Sequence, residues 1–259
     1  MQIRFIGTGA CLSSLRGKLC IEVSYFSDRQ YTVLFDCGEG SYDKLRRSRN
    51  GKDTELMKTL DAIYISHNHG DHLAGIPRLL FGMFFRGRTK PLEIYGPEDV
   101  DIEGIYRIFF ANFPLKFKVN YSKLEPNSQR TLHGSLLSSI PGKHGVPELA
   151  YCLEADGKKV VYTGDTERLV LPPHFQNADL LIHDANYTEE EKRGTVYKAF
   201  NHSSCREAGA VASESKARRL ALVSTLEEHE HILEQLIGEA QLEYNGEIII
   251  PNDLEVMTL

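Results

Sequence analysis

The chain has 259 residues, is 41% hydrophobic and 25% charged, and carries a formal net charge of -6. These are globular values at a length that buries most of the unfolded surface, and the acidic balance excludes a general basic field of the kind that gathers nucleic acid. Five cysteines, an odd number with no Cys-x-x-Cys pair, argue for buried thiols in a reducing compartment and against a disulfide frame.

In chain order, the opening third reads as short strands at Gln2 to Gly7, Leu19 to Tyr25 and Tyr31 to Phe35, the last two joined by the polar turn Ser27-Asp28-Arg29-Gln30. Asp36-Cys37-Gly38-Glu39-Gly40 ends the third strand, and Ser41 is expected to cap a helix beginning there. Ala62 to Ile65 is a short run of β formers, and Ala74 to Met83 reads as helical. A strand at Leu92 to Tyr95 and a helix with an aromatic face at Val100 to Phe113 follow. Further strands are expected at Arg130 to Ser139, Leu149 to Glu154, Lys159 to Tyr162, Asp179 to His183, Leu220 to Val223 and Glu247 to Ile250. One helix starts after His202-Ser203-Ser204, and another covers Glu227 to Gln241. No repeat, linker or composition break divides the chain, so a single domain over 1–259 is expected, built as two sheets flanked by helices. The N-terminus is too polar for a signal peptide and no apolar run reaches membrane-spanning length, which predicts a cytoplasmic protein with no membrane partner.

Between Ile65 and Ala74 lies Ser66-His67-Asn68-His69-Gly70-Asp71-His72. Three imidazoles and a carboxylate fall directly after a buried strand. Alternate residues of a turn point the same way, so His67 and His69 can converge on one ion while Asp71 and His72 face a second. Neutral imidazole and carboxylate are ligands that zinc, manganese and iron accept in open catalytic sites, and Gly70 removes bulk where the backbone approaches them.

This His-x-His-x-Asp-His pattern resembles the signature of the metallo-β-lactamase superfamily, and its surroundings resemble the ribonuclease Z branch. Phe5-Ile6-Gly7-Thr8-Gly9, Leu34 through Gly40 and Ile65 through Leu79 carry the likeness, which runs through the chain in order. It implies an α/β fold, the four-layered αββα metallo-β-lactamase sandwich, with a dinuclear site between the sheet edges. It also implies that His144 completes the first ion, with His133 as a rival, and that Asp165 in Tyr162-Thr163-Gly164-Asp165-Thr166 bridges the two. By the same resemblance, Asp184 in His183-Asp184-Ala185-Asn186 orients His202, which contacts the scissile phosphate or protonates the leaving alkoxide. A homodimer is implied as well.

Two departures narrow the reading. Where the family has a strand ending in a final metal histidine, this chain has Ser224, a poor ligand for zinc; His229 or His231 are the candidates to reach in instead. Asp71, His72 and Asp165 still leave that ion three protein ligands, a common catalytic number. Ribonuclease Z enzymes also carry a long arm between the positions of His144 and Asp165 that clamps transfer RNA, whereas here two adjoining strands fill the interval. Lys44, Arg46, Arg47, Arg49 and Lys52 read as a solvated helix face, and Arg86, Arg88 and Lys90 are candidates to lie near the mouth.

Taken with these residues, the resemblance implies a metal-dependent phosphodiesterase using two divalent ions, Zn²⁺ first and Mn²⁺ or Fe²⁺ as substitutes, with Asp71, His202 and Asp184 in catalytic roles. Its expected substrates are small or unstructured phosphodiesters, or nucleic-acid-derived ones including RNA. The competing expectations are a tRNA 3′ endonuclease, hydrolysis of a lactone or thioester, and a non-enzymatic sensor that lost turnover with Ser224.

Overall fold

A computed structural model describes residues 1–48, 54–111, 113–194 and 201–259. The chain builds one sheet and then the other. Strands β1 (Gln2–Gly7), β2 (Cys20–Phe26), β3 (Gln30–Phe35), β4 (Ala62–Tyr64), β5 (Leu92–Gly96) and β6 (Val119–Lys123) lie side by side, antiparallel as far as β3 and parallel from there. Strands β7 (Ser128–Leu132), β8 (Ser135–Pro141), β9 (Leu149–Ala155), β10 (Lys158–Tyr162), β11 (Leu180–Asp184), β12 (Arg219–Val223) and β13 (Glu247–Ile249) repeat that scheme, antiparallel to β10 and parallel beyond. β14 (Val256–Thr258) returns to pair with β1.

Period-two alternation makes three cores from these two sheets. Inward residues such as Phe5, Val33, Phe35, Tyr64, Tyr162, Ile182 and Val223 meet between the sheets. Outward residues of the first sheet, among them Leu34, Ile63 and Ile94, pack on α1 (Ser41–Arg47), α2 (Thr54–Thr59), α4 (Ile76–Phe85) and α5 (Ile102–Phe110). Those of the second, such as Val161, Leu181 and Leu222, pack on α7 (Cys205–Glu214) and α8 (Leu233–Gln241). Each side chain buried this way stabilises by roughly 1.5–3 kcal/mol. The result is the αββα sandwich expected from the sequence. A one-turn helix, α3 (Gly70–Leu73), sits inside the histidine loop, and α6 (Glu189–Arg193) flanks α7.

The structure corrects several local expectations. Gly40, at φ 84°, is the N-cap of α1; Ser41 is its first helical residue and donates its hydroxyl to the Gly38 carbonyl at 2.7 Å. The run from Arg130 to Ser139 is two strands, because His133 (φ 50°) and Gly134 (φ 73°) turn the chain back on itself. Glu227 to Gln241 is a short 3-10 turn (Glu227–His229) followed by α8. The sequence reading missed β6 and β14: both are edge strands, the first half-buried with few apolar residues, the second mostly exposed and only three residues long, so neither shows a pattern. Cys11 is exposed, while the other four cysteines are buried. No helix among the described residues is long and apolar enough to cross a membrane.

Candidate metal centre

The functional side chains come from strand ends. β4 delivers the histidine loop, β8 leads to His144, β10 to Asp165, β11 ends in Asp184, and β12 runs into Ser224. They surround a cleft of 620 Å³ lined by His69, Asp71, His144, Asp165, His202 and Ser224, with Ala10, Cys11, Leu12, Asn186, Tyr187 and Leu226 as its less polar wall. A larger groove of 880 Å³ beside α5 is lined by groups such as Tyr106, Phe117 and Tyr121 and contains no histidine.

The structure brings His67, His69 and His144 together. His67 Nε2 lies 2.9 Å from His69 Nδ1, which lies 3.1 Å from His144 Nε2. Burial pulls the His67 imidazole well below its usual range, with His72 adding to the effect, and burial also lowers His144. Near neutral pH those two rings therefore offer lone pairs, not protons, to whatever lies between them. A second group joins the first through His67: His72 Nε2 is 3.2 Å from Asp165 Oδ2 and 3.5 Å from Asp71 Oδ2. His72 Nε2 and Asp165 Oδ1 are buried without a hydrogen-bond partner. Burial pulls the His72 imidazole down, but Asp165 and Asp36 outweigh it and hold the ring well above its usual range, so in the bare protein a proton stands there among the carboxylates. Converging imidazole nitrogens beside an orphaned buried carboxylate oxygen are costly without a cation between them and suit a divalent ion.

The pair expected to move protons is also assembled. His202 Nδ1 is 2.9 Å from Asp184 Oδ2 and 3.9 Å from Asp165 Oδ2. Burial pulls the His202 imidazole down, but Asp184 and Asp165 outweigh it and hold the ring at about 9. The same logic holds Asp165 low: burial pushes its carboxyl up, and His72 and His202 more than reverse that. His202 is not the cap of α7. Ser204 caps it in a reciprocal box with Glu207, which leaves the His202 ring free to pair.

Other expectations fail here. His133 sits in the β7–β8 hairpin with its ring against Tyr95, outside the cleft. His229 is buried with Nε2 on Glu191 Oε1 at 2.9 Å, and neither it nor His231 lines the cleft. Arg88 is fully buried, its guanidinium spent on the carbonyls of Met57, Leu60, Lys90 and Pro91, and Lys90 pairs with Asp61. Lys44 is bound to Asp253, while Arg49 and Lys52 lie outside the described residues. No lysine or arginine among the described residues lines the cleft.

Sequence reasoning overlooked the supports behind the centre. The Asp36 carboxylate accepts from Ser66 N (2.7 Å), Ser66 Oγ (2.8 Å) and Tyr162 OH (2.6 Å) and meets His72 Nδ1 at 2.7 Å. Glu148, its side chain fully buried, lies 3.4 Å from His67 Nδ1; burial pushes its carboxyl well up, with Asp165 adding. Asn186 Nδ2 donates to Ser224 Oγ at 3.1 Å. Local sequence carries no signal for contacts such as Asp36 to Tyr162, which join positions on different sheets.

Comparison with known proteins agrees with this architecture. The profile of the Beta-lactamase superfamily domain matches residues 31–223. The ribonuclease Z of Methanosarcina acetivorans is 27% identical over 307 aligned positions, covering 98% of this chain and 96% of that protein. That alignment is longer than the chain itself, so part of the relative has no counterpart here. The ribonuclease Z of Thermoplasma volcanium is 29% identical over 73% of this chain and 76% of its own length. Among solved structures, the metallo-beta-lactamase fold protein YhfI from Bacillus subtilis superposes with a TM-score of 0.81 at 26% identity, covering 99% of this chain and 98% of that one. The short form of human tRNase Z shares the fold, with a TM-score of 0.78 at 23% identity over 100% and 99% of the two chains.

Proposed function

The chain belongs to the Beta-lactamase superfamily, and we propose that it is a metal-dependent phosphodiesterase of ribonuclease Z-like build, a single domain over 1–259 acting on small or unstructured phosphodiesters. The observation that carries this reading is the pair of ligand groups joined at His67, with His69 and His144 on one side and His72 and Asp165 on the other, Asp71 lying 3.5 Å from His72 and the His202–Asp184 pair beside them. Zinc ions are the favoured occupants of the two groups, with Mn²⁺ or Fe²⁺ as substitutes. Bound divalent ions supply Lewis acidity and a water that ionises near neutral pH.

The chain's own residues do the rest. Asp71, at the cleft wall, accepts a proton as water attacks phosphorus. Asp184 fixes the His202 ring through Nδ1, leaving Nε2 to give its proton to the departing alkoxide as the P–O bond to it breaks. An imidazole held at about 9 is protonated at neutral pH, as that role requires.

The preference for small substrates rests on two features. Between His144 and Asp165 the chain holds only β9 and β10, joined by the tight turn at Asp156 and Gly157, both at positive φ. Among the described residues, the cleft wall offers no lysine or arginine to follow a polyanionic backbone. Transfer RNA processing is the second reading, favoured by ribonuclease Z relatives that align along nearly the whole chain; lactone or thioester hydrolysis ranks below both.

The test is to compare initial rates on bis-p-nitrophenyl phosphate and on precursor tRNA with Zn²⁺ or Mn²⁺ added. Turnover of the diester without specific 3′ processing is expected. Efficient 3′ processing would replace the small-substrate reading, and fewer than about one ion per chain with no turnover of either would remove the hydrolase reading, since such sites need bound metal to form the nucleophile.

A further inference from the structure

Three of the imidazoles at this centre have one ring nitrogen tied down from behind. His72 Nδ1 meets Asp36 at 2.7 Å, His202 Nδ1 meets Asp184 at 2.9 Å, and His144 Nδ1 meets the Asn201 carbonyl at 3.3 Å. His67 turns Nε2 toward His69, so its Nδ1 faces backwards, toward Ser66 Oγ at 3.0 Å and Glu148 Oε2 at 3.4 Å. The Glu148 side chain is fully buried and neither of its oxygens has a hydrogen-bond partner. An unpartnered carboxyl in that setting is costly, yet the backbone is shaped around it. A Cβ on Gly164 would fall 1.9 Å from Glu148 Oε1, and one on Gly142 would fall 2.5 Å from its Cγ.

We propose that Glu148 is a positioning residue for His67: it takes the Nδ1–H, holds the ring in the tautomer whose Nε2 lone pair faces the ion group, and balances the charge a cation brings. It acts through His67 and is absent from the cleft wall. Ser66 Oγ cannot supply that charge, since it is a neutral hydroxyl whose hydrogen already goes to Asp36 Oδ2 at 2.8 Å. A carboxylate behind a histidine ligand raises the basicity of the ligand, and its loss typically costs ten- to a hundredfold in metal affinity. This inference rests on the metal reading of the cleft.

The experiment compares the full-length parent with Glu148→Gln and Glu148→Leu in two measurements: Zn²⁺ affinity by competition with a chromogenic chelator, and the thermal midpoint in excess EDTA. Affinity is expected to fall about ten- to a hundredfold in Glu148→Leu and less in Glu148→Gln, which keeps an acceptor oxygen. The EDTA midpoint should hold or rise in both, because an orphan carboxyl has been removed from the bare protein. A residue that merely fills space would lower the midpoint along with the affinity, and that result overturns the assignment, as does affinity within about threefold of the parent, well short of the usual second-sphere loss. A parent that binds no Zn²⁺ sinks the hydrolase reading and Glu148's role with it, whereas equal binding by parent and variants sinks only the latter.

Discussion

Asn186 Nδ2 donates to Ser224 Oγ across 3.1 Å in the wall of the metal cleft, at the position where the resembling family places its final metal histidine. The side chain of Ser224 is thus engaged by a neutral amide, and under the proposed function a second ion bound there would be left with Asp71, His72 and Asp165. Ser224→His should restore a ligand: the backbone there is left-handed, at φ 66°, which histidine tolerates better than most residues. The expected outcome is tighter binding of the weaker ion by about tenfold or more, the scale on which ligand-sphere changes act. Metal titration against a competing chelator reads it, and an unchanged second affinity would show that the vacancy left by histidine is not what limits the site.

Asp36 gathers Ser66, His72 and Tyr162 onto one carboxylate. Asp36→Asn keeps the shape and suits the left-handed backbone at φ 57°, so its effect isolates the lost charge and acceptor. Presenting an amide to buried donors should cost about 3–5 kcal/mol, as breaking a buried pair does. Urea unfolding checks this; a loss below about 1 kcal/mol, the scale of one ordinary hydrogen bond, would mean the hub is dispensable.

Asp184→Asn should lower turnover by about 10²–10⁴ for diesters with alkyl leaving groups, the usual worth of a general acid. With p-nitrophenolate, which leaves without a proton, the loss should be small. Because Asp184 is the leading group that holds the His202 ring up at about 9, the alkaline limb of the rate profile should move to lower pH. Equal losses on both kinds of substrate would contradict a proton-donating role.

The metal-free protein should be most stable near the pH of an ordinary imidazole, about 6.5, and lose stability on either side of it. His202 is raised to about 9 from 6.5, so its contribution is complete below about 6.5 and is lost as pH climbs through 9. His67 and His144 are lowered; an unfolded chain binds their protons more readily, so stability also falls as pH drops below 6.5. Thermal midpoints in EDTA across this range should trace a dome, and His202→Gln should flatten its alkaline side. A midpoint rising steadily to pH 10 would contradict the assignment.

Much of this protein was legible in the residues themselves. The histidine loop declares its chemistry because three imidazoles and a carboxylate directly follow a buried strand, and short strands alternating with helices point to layered sheets. His144, Asp165, Asp184 and His202 could be found once a family pattern supplied their order. Tertiary structure alone decided what stands behind and around them. Asp36, Tyr162 and Glu148 reach the centre from separate strands and loops, and such contacts depend on how two sheets are set face to face, which no local pattern encodes. It also removed residues whose charge had made them attractive: Arg88 is sealed among carbonyls, and His229 is claimed by Glu191. Local sequence records which groups a segment offers, whereas burial and distant partners determine which of them remain free to act.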